Sequence, residues 1–269
     1  MTDIRKVTDQ LMAAHQQATL MALPSASAPF TLADAFAVGD DICRRRIAAG
    51  ERPLGYKIGF TNRSIWPRYG VYAPIWAPVW DSTVRVLDGA SAELSMQGLV
   101  QPRFEPEVVF GFAHAPAPGM SDGELVGCLD WMAHGVEIVH THFEDWKFTA
   151  ADSVADFALH GALLVGPRSD PASFGADLSG DLAALTVELS CDGRVVDRGQ
   201  GSNVLDSPLL ALHLWLQAMT VHSPQWTVKA GDIVTTGTIT DAWPIAAGQR
   251  WQTRLSDRRL SGLTLTVTD

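Results

Sequence analysis

The stretch PRFEPEVVFGF, Pro102 to Phe112, places two carboxylates, Glu105 and Glu107, one residue apart inside an otherwise apolar run. Side chains alternate along a strand, so in an extended conformation Glu105 and Glu107 share one face while Phe104, Pro106 and Val108 share the other. Two like charges on one face repel unless water solvates them or a cation lies between them. Both readings stay open on these residues alone. The residues that follow, VVFGF, are apolar on both faces, the pattern of a strand that enters a core rather than running along a surface. Glu137, in HGVEIVH, is a third carboxylate in a short apolar run. Three carboxylates on adjacent strands suit Mg2+ or Mn2+, hard ions that prefer oxygen ligands.

The texture around this stretch is β-like. Beyond Gly50 come LGYKIGF, STVRVL, GVEIVH, ALLVG, LTVELSCDGRVV, DIVTTG and LTLTV, separated by Gly, Pro and Asp, with CDGR (Cys191 to Arg194) as a hairpin turn. Two helices are predicted among them, one around SDGELVGCLDWMA capped by Ser121 or Asp122, the other from about Pro208 to Thr220 with its cap at Asp206 or Ser207. Residues 1–50 read differently. Apolar residues recur at three- and four-residue spacing from Thr8 to about Ala22 and from Leu32 to Ala49, which predicts two helices joined by LPSASAPFT. The expectation is an α+β chain: a helical N-terminal segment, 1–50, leading into a β-rich catalytic domain, 51–269, together one compact unit.

Composition narrows the function. With 46% hydrophobic and 19% charged residues the chain can bury a sizeable core, and its net charge of −10, without a long Lys/Arg cluster, lacks the footprint of a nucleic-acid binder. The N-terminus has no apolar signal-peptide core, and no run approaches the roughly 20 apolar residues of a membrane span. Cys43, Cys128 and Cys191 are odd in number and form no CxxC pair, so a reducing cytoplasm is expected. His134, His140 and His142 flank Glu137, but no zinc-type ligand spacing is present. They read as surface, core-capping or interface residues, with His140 and His142 facing away from the carboxylates. The aromatic segment SIWPRYGVYAPIWAPVW, Ser64 to Trp80, reads as the lining of an apolar pocket or a subunit interface.

Taken together, GYKIGFT (Gly55 to Thr61), FEPEVVF, the stretch from Val136 to Gly166 and KAGDIVTTGT (Lys229 to Thr238) resemble the 2-keto-4-pentenoate hydratase and 4-oxalocrotonate decarboxylase branch of the fumarylacetoacetate hydrolase superfamily. The resemblance implies that superfamily's mixed β fold and a divalent metal, Mg2+ or Mn2+, held by Glu105, Glu107 and Glu137. It implies catalytic roles for Lys57 and for Asp81 in APVWDSTV, and makes Thr236 and Thr238 candidates for substrate contact; on the residues alone these threonines read as stabilising a strand end. Lys147 fits a structural ion pair. The implied activity is hydration of a 2-hydroxy-2,4-dienoate to a 4-hydroxy-2-oxo acid, in a homo-oligomer that associates with a partner enzyme of the same pathway. Decarboxylation of a 4-oxalocrotonate-type 2-oxo acid is the alternative, followed by carbon–carbon hydrolysis of an acylpyruvate or a degenerate assembly partner. Two stretches depart from the family pattern: VADFALHG puts Phe157 and Leu159 or His160 where Asn and Ser are usual, and EIVHTH puts His140 and His142 where an acid and an Arg are usual.

Overall fold

The structure, a computed structural model, describes residues 2–69, 72–223 and 225–269. In chain order its elements are α1 (Ile4–Gln17), α2 (Leu32–Ala48), β1 (Pro53–Gly59), α3 (Trp66–Tyr69), β2 (Ile75–Trp80), β3 (Val84–Val86), β4 (Ser91–Ser95), β5 (Arg103–Phe112), α4 (Asp122–Val126) and β6 (Leu129–Val139). Then follow α5 (Ala150–Ala155), β7 (His160–Ser169), α6 (Leu178–Ala184), β8 (Thr186–Cys191), β9 (Arg194–Gln200), α7 (Pro208–His222), β10 (Ile233–Thr235), β11 (Trp243–Pro244), β12 (Arg250–Leu255) and β13 (Thr264–Thr268).

The opening stretch is the central strand β5. It pairs antiparallel with β6, and this register sets Glu105 directly opposite Glu137. On its other side β5 pairs with β10 through Val109 to Gly111 and with β11 through Arg103 and Phe104. Pro106 falls between those two short partners, where the proline's missing N–H interrupts no ladder. The larger sheet runs β2-β1-β10-β5-β6-β7-β3, with β11 beside β5, and a second sheet runs β4-β13-β12-β8-β9. The CDGR hairpin joins β8 to β9 with Asp192 and Gly193 both at positive φ, 50° and 77°, as a two-residue hairpin turn requires.

The N-terminal helices pack rather than dangle. In α2 a capping box between Thr31 and Asp34 starts the helix, and Ala35, Val38, Ile42 and Arg46 form its buried face. Val7 and Leu11 of α1 and Val38 and Ile42 of α2 share a core with Phe60, Ile75, Phe143 and Phe157. Asp3 caps α1 and Ala18 ends it in a left-handed conformation, so the helix lies a few residues upstream of the Thr8-to-Ala22 reading. The Gly201–His222 stretch is long and apolar enough to cross a membrane by composition, but its α7 part is a core helix that buries Leu209, Leu212, Trp215, Leu216 and Met219.

One expectation changes and another is refined. The helix read around SDGELVGCLDWMA is only the short α4, capped by Ser121 and Glu124, because from Leu129 onward the chain pairs with β5. Within the aromatic segment Ile75 to Trp80 form β2, with Trp76 and Trp80 at 3% and 2% exposure. Those indoles are buried and, with Pro78, line a small apolar cavity against α2, as the pocket-lining reading expects, while Ile75 of the same strand lines a second, larger cavity.

Candidate active site

Glu105, Glu107 and Glu137 converge. Each offers a carboxylate oxygen within 4.8 Å of the other two. Glu107 and Glu137 are fully buried, while Glu105 keeps an edge on a cavity of ≈ 330 Å³. Glu107 Oε2 accepts hydrogen bonds from the Thr235 hydroxyl and from the Gly237 N–H, the latter at 2.7 Å. Glu137 Oε1 lies 2.8 Å from His160 Nδ1, and His160 Nε2 lies 2.8 Å from Thr83 Oγ1. Lys57, in β1, donates to the Ala158 carbonyl at 2.9 Å and sits 3.4 Å from Glu137 Oε2.

One ammonium cannot balance three anions in this setting. Burial pushes Glu105 and Glu107 well above the usual carboxylate range and raises Glu137, with mutual repulsion adding to the effect on Glu105 and Glu107. Burial opposes charge on Lys57, but Glu137, Glu105 and Glu107 outweigh it and hold the ammonium above its ordinary range. The oxygens Glu107 Oε1 and Glu137 Oε2 are buried and accept no hydrogen bond among the described residues. Leaving a buried carboxylate oxygen unpaired is costly, so three carboxylates, with Glu107 Oε1 lacking any partner among the described residues and Glu137 Oε2 facing only the Lys57 ammonium at 3.4 Å, fit a hard divalent ion as the missing partner.

The Lys57 anchor is itself unusual. Phe157, Ala158 and Leu159 all have positive φ, 55°, 47° and 68°, a conformation L-residues adopt only when the surroundings impose it. The Leu159 N–H donates to the Asp156 carbonyl and the Leu159 carbonyl accepts from His140 N–H, which pins the segment at both ends. This strained turn presents the Ala158 carbonyl to Lys57, and Ala158 and Leu159 line the cavity. Its other walls include Phe60, Ile65, Ile75, Val139, Trp146 and Phe148, with Arg103, Thr238 and Asp241 as polar members. The Arg103 guanidinium lies 4.1 Å over the Trp146 ring.

Among the residues singled out from sequence, Lys57, Glu105, Glu107 and Glu137 are brought together and Thr238 lies on the cavity wall. Asp81 is not. It sits in the turn after β2, where its carboxylate takes the Arg52 N–H and guanidinium at the surface; those bonds hold it below the usual carboxylate range. Thr236 donates to the Val108 carbonyl, a strand-end bond, while its neighbour Thr235 holds Glu107. Lys147 is exposed and pairs with Asp145. His140 and His142 are 1% and 0% exposed, so they are not surface residues, and they lie in a separate group from the carboxylates. Sequence reading missed His160, noted only as a departure from pattern, and the Thr235 and Gly237 contacts to Glu107.

Gly237 cannot be replaced freely. Its φ is 101°, and a Cβ there would lie 1.9 Å from Thr61 Oγ1. Gly237→Ala is expected to destabilise the protein by roughly 1–3 kcal/mol in denaturant unfolding, through strain and a displaced Glu107 contact. An unfolding midpoint equal to that of the parent protein would contradict this account of the loop.

No family model matches the chain. It is 34% identical over 235 residues to the 2-hydroxyhexa-2,4-dienoate hydratase of Comamonas testosteroni, covering 87% of this chain and 86% of that one. It is 31% identical to the 4-oxalocrotonate decarboxylase of Pseudomonas sp. (strain CF600), covering 81% and 79%. A solved structure of the 4-oxalocrotonate decarboxylase of Pseudomonas putida G7, complexed with magnesium and adipate, matches with a TM-score of 0.88 at 25% identity, over 98% of this chain and 97% of that one.

Proposed function

Because the chain belongs to the family of 2-keto-4-pentenoate hydratases and 4-oxalocrotonate decarboxylases, we propose that it is a divalent-metal-dependent hydratase that converts an alkyl-tailed 2-hydroxy-2,4-dienoate into a 4-hydroxy-2-oxo acid. The observation that carries this reading is the buried carboxylate triad, with Glu107 Oε1 unpartnered among the described residues, opening through Glu105 on a cavity whose walls are part polar and part apolar. Glu105, Glu107 and Glu137 would hold Mg2+ or Mn2+. When bound, such an ion supplies a Lewis acid for the negative charge that develops on the 2-oxo oxygen.

The chain's own residues supply the rest. Lys57 is pinned by the Ala158 carbonyl and Glu137 at the cavity wall, so its ammonium is already oriented towards an anionic substrate and can move a proton at Nζ. Arg103 offers a second cation to the substrate carboxylate. Ile65, Ile75, Phe148 and Leu159 give the distal carbons an apolar surface.

Charge separates this reading from decarboxylation. With a divalent ion bound, the three glutamates, Lys57, Arg103 and the rim acid Asp241 balance to neutrality. A dienoate brings one carboxylate into that setting, whereas a 4-oxalocrotonate-type diacid brings a second with no further cation on the wall among the described residues. The same proposal includes a homo-oligomer working in the cytoplasm, associated with a partner enzyme of the pathway.

The test incubates the protein with Mg2+ or Mn2+ and either 2-hydroxyhexa-2,4-dienoate or 2-oxohex-3-enedioate, with products followed by NMR. The expected result is a 4-hydroxy-2-oxo acid from the monoacid and little carbon dioxide from the diacid. Faster carbon dioxide release would make the protein a decarboxylase, and turnover of neither would sink the proposal. In the same assay Asp81→Asn is expected to stay within about twofold of the parent rate, as a surface substitution away from the cavity does. A hundredfold loss would return Asp81 to the site.

A further inference from the structure

A second cluster of metal-ligating side chains lies apart from the carboxylates. His15, in the last turn of α1, meets His140 and His142, which follow directly on β6. One nitrogen of each ring lies within 4.8 Å of one nitrogen of the other two. The ring centroids are 5.7 Å apart for His15 and His140, 5.6 Å for His15 and His142, and 4.9 Å for His140 and His142. His15 Nδ1, His140 Nε2 and His142 Nε2 are buried and have no hydrogen-bond partner among the described residues. Three orphaned imidazole nitrogens in one buried spot need a common partner.

The backing of the rings says what kind of partner. Asp156 accepts from the Thr141 hydroxyl, from the His142 N–H and from His142 Nδ1. That fixes the His142 proton on Nδ1 and turns the Nε2 lone pair towards His15 and His140, the carboxylate–histidine arrangement that orients metal ligands. We propose that His15, His140 and His142 form a second metal site, selective for a borderline transition ion of the Zn2+ or Co2+ class over Mg2+. Neutral nitrogen donors select such ions, as oxygen donors select Mg2+ and Mn2+. Ligation at about 2.0–2.1 Å requires the nitrogens to close to roughly 3.3 Å of one another, a movement of side chains and of the end of α1. His140 must also change tautomer: its Nδ1 accepts from the Val100 N–H at 3.2 Å, so the ring proton sits on Nε2 and has to move to Nδ1 before Nε2 can ligate, and the Val100 N–H gives up this acceptor.

An occupied site would tie α1 to the strand end beside the active cavity. The Phe157 ring packs on His15 at 4.6 Å between centroids, and Phe157 opens the strained turn whose Ala158 carbonyl holds Lys57. The ion would therefore stiffen the lysine's anchor without touching substrate.

The experiment uses the full-length protein, freed of metal by chelation and titrated with Co2+ in millimolar Mg2+, with metal content and visible absorption as readouts. Glu107→Gln, whose carboxylate site is disabled, is expected to bind one Co2+ per chain with a ligand-field band, and the parent protein that ion plus any Co2+ that displaces Mg2+ from the carboxylates. Added to Glu107→Gln, His15→Gln should weaken this binding at least about a hundredfold, and Asp156→Asn about 10–100-fold. Since a variant can lose binding by local unfolding, Zn2+ is also added to the 15N-labelled parent protein, where ring-nitrogen shifts of three histidines are expected. No Co2+ bound by Glu107→Gln, or binding unchanged when His15→Gln is added to it, or histidine nitrogens that do not move with Zn2+, would show a packing cluster only and overturn the proposal.

Discussion

Glu107→Gln is expected to abolish the stabilisation that Mn2+ gives the protein and to lower turnover by at least about 10²–10³-fold, the loss typical of removing a principal electrostatic stabiliser. The substitution is nearly isosteric, and the Gln carbonyl oxygen can still accept from Thr235 and Gly237, so the loop geometry survives. What disappears is one anion from a set of three whose burial already works against ionisation. The metal-free variant should therefore melt at or slightly above the parent temperature, because repulsion is relieved. In the parent protein an ion at a hundred times its dissociation constant adds about 2.7 kcal/mol of stability, and that increment should vanish. The melting temperature with and without Mn2+ reads both effects. Equal Mn2+ stabilisation in the two proteins would remove Glu107 from the ligand set.

Lys57→Met should do the opposite to the metal-free protein. Methionine fills nearly the same space but takes away the cation that offsets Glu137, Glu105 and Glu107. Breaking a buried ion pair costs about 3–5 kcal/mol, and the low end applies here because Glu137 can take up a proton instead of staying charged. A loss of about 3 kcal/mol corresponds to a melting temperature lower by roughly 10 °C. Added Mn2+ should recover much of it, since the ion takes over the lysine's neutralising role. Turnover should remain low, by about 10²–10⁴-fold, because proton transfer at Nζ is gone. Full activity in Lys57→Met would leave the lysine a structural counter-ion. The two variants thus separate holding the ion from handling the substrate.

The carboxylate core of this site was legible because strand alternation is a strict rule. Glu105 and Glu107 share a face by parity, whereas the β5–β6 register that brings Glu137 directly opposite Glu105 is set by the fold, since the first part of β6 read as helix. Helix α2 was legible for a similar reason, having a 3.6-residue period and a local cap. Asp81 shows where such rules stop. An acid in a turn can face the cavity or a neighbouring Arg, and Arg52, 29 residues away in the chain, decides it. Thr235 and Thr236 differ by one residue in phase at the end of a three-residue strand, too short for parity to settle which hydroxyl meets Glu107. The strand β2 was hidden by its tryptophans and by Pro78; their reading as pocket lining holds for a small cavity against α2, but its strand form did not show in that pattern. His15 lies 125 residues before His140, and only the packing of α1 against the strand end brings the two rings together.

The most direct test of the central claim is anomalous diffraction from a crystal of the protein soaked with Mn2+ in the presence of excess Mg2+-free buffer. A strong manganese peak is expected among the carboxylates of Glu105, Glu107 and Glu137. No peak there, or manganese found only at the histidines, would contradict the reading that these three buried glutamates are the ligands around which the active site is built.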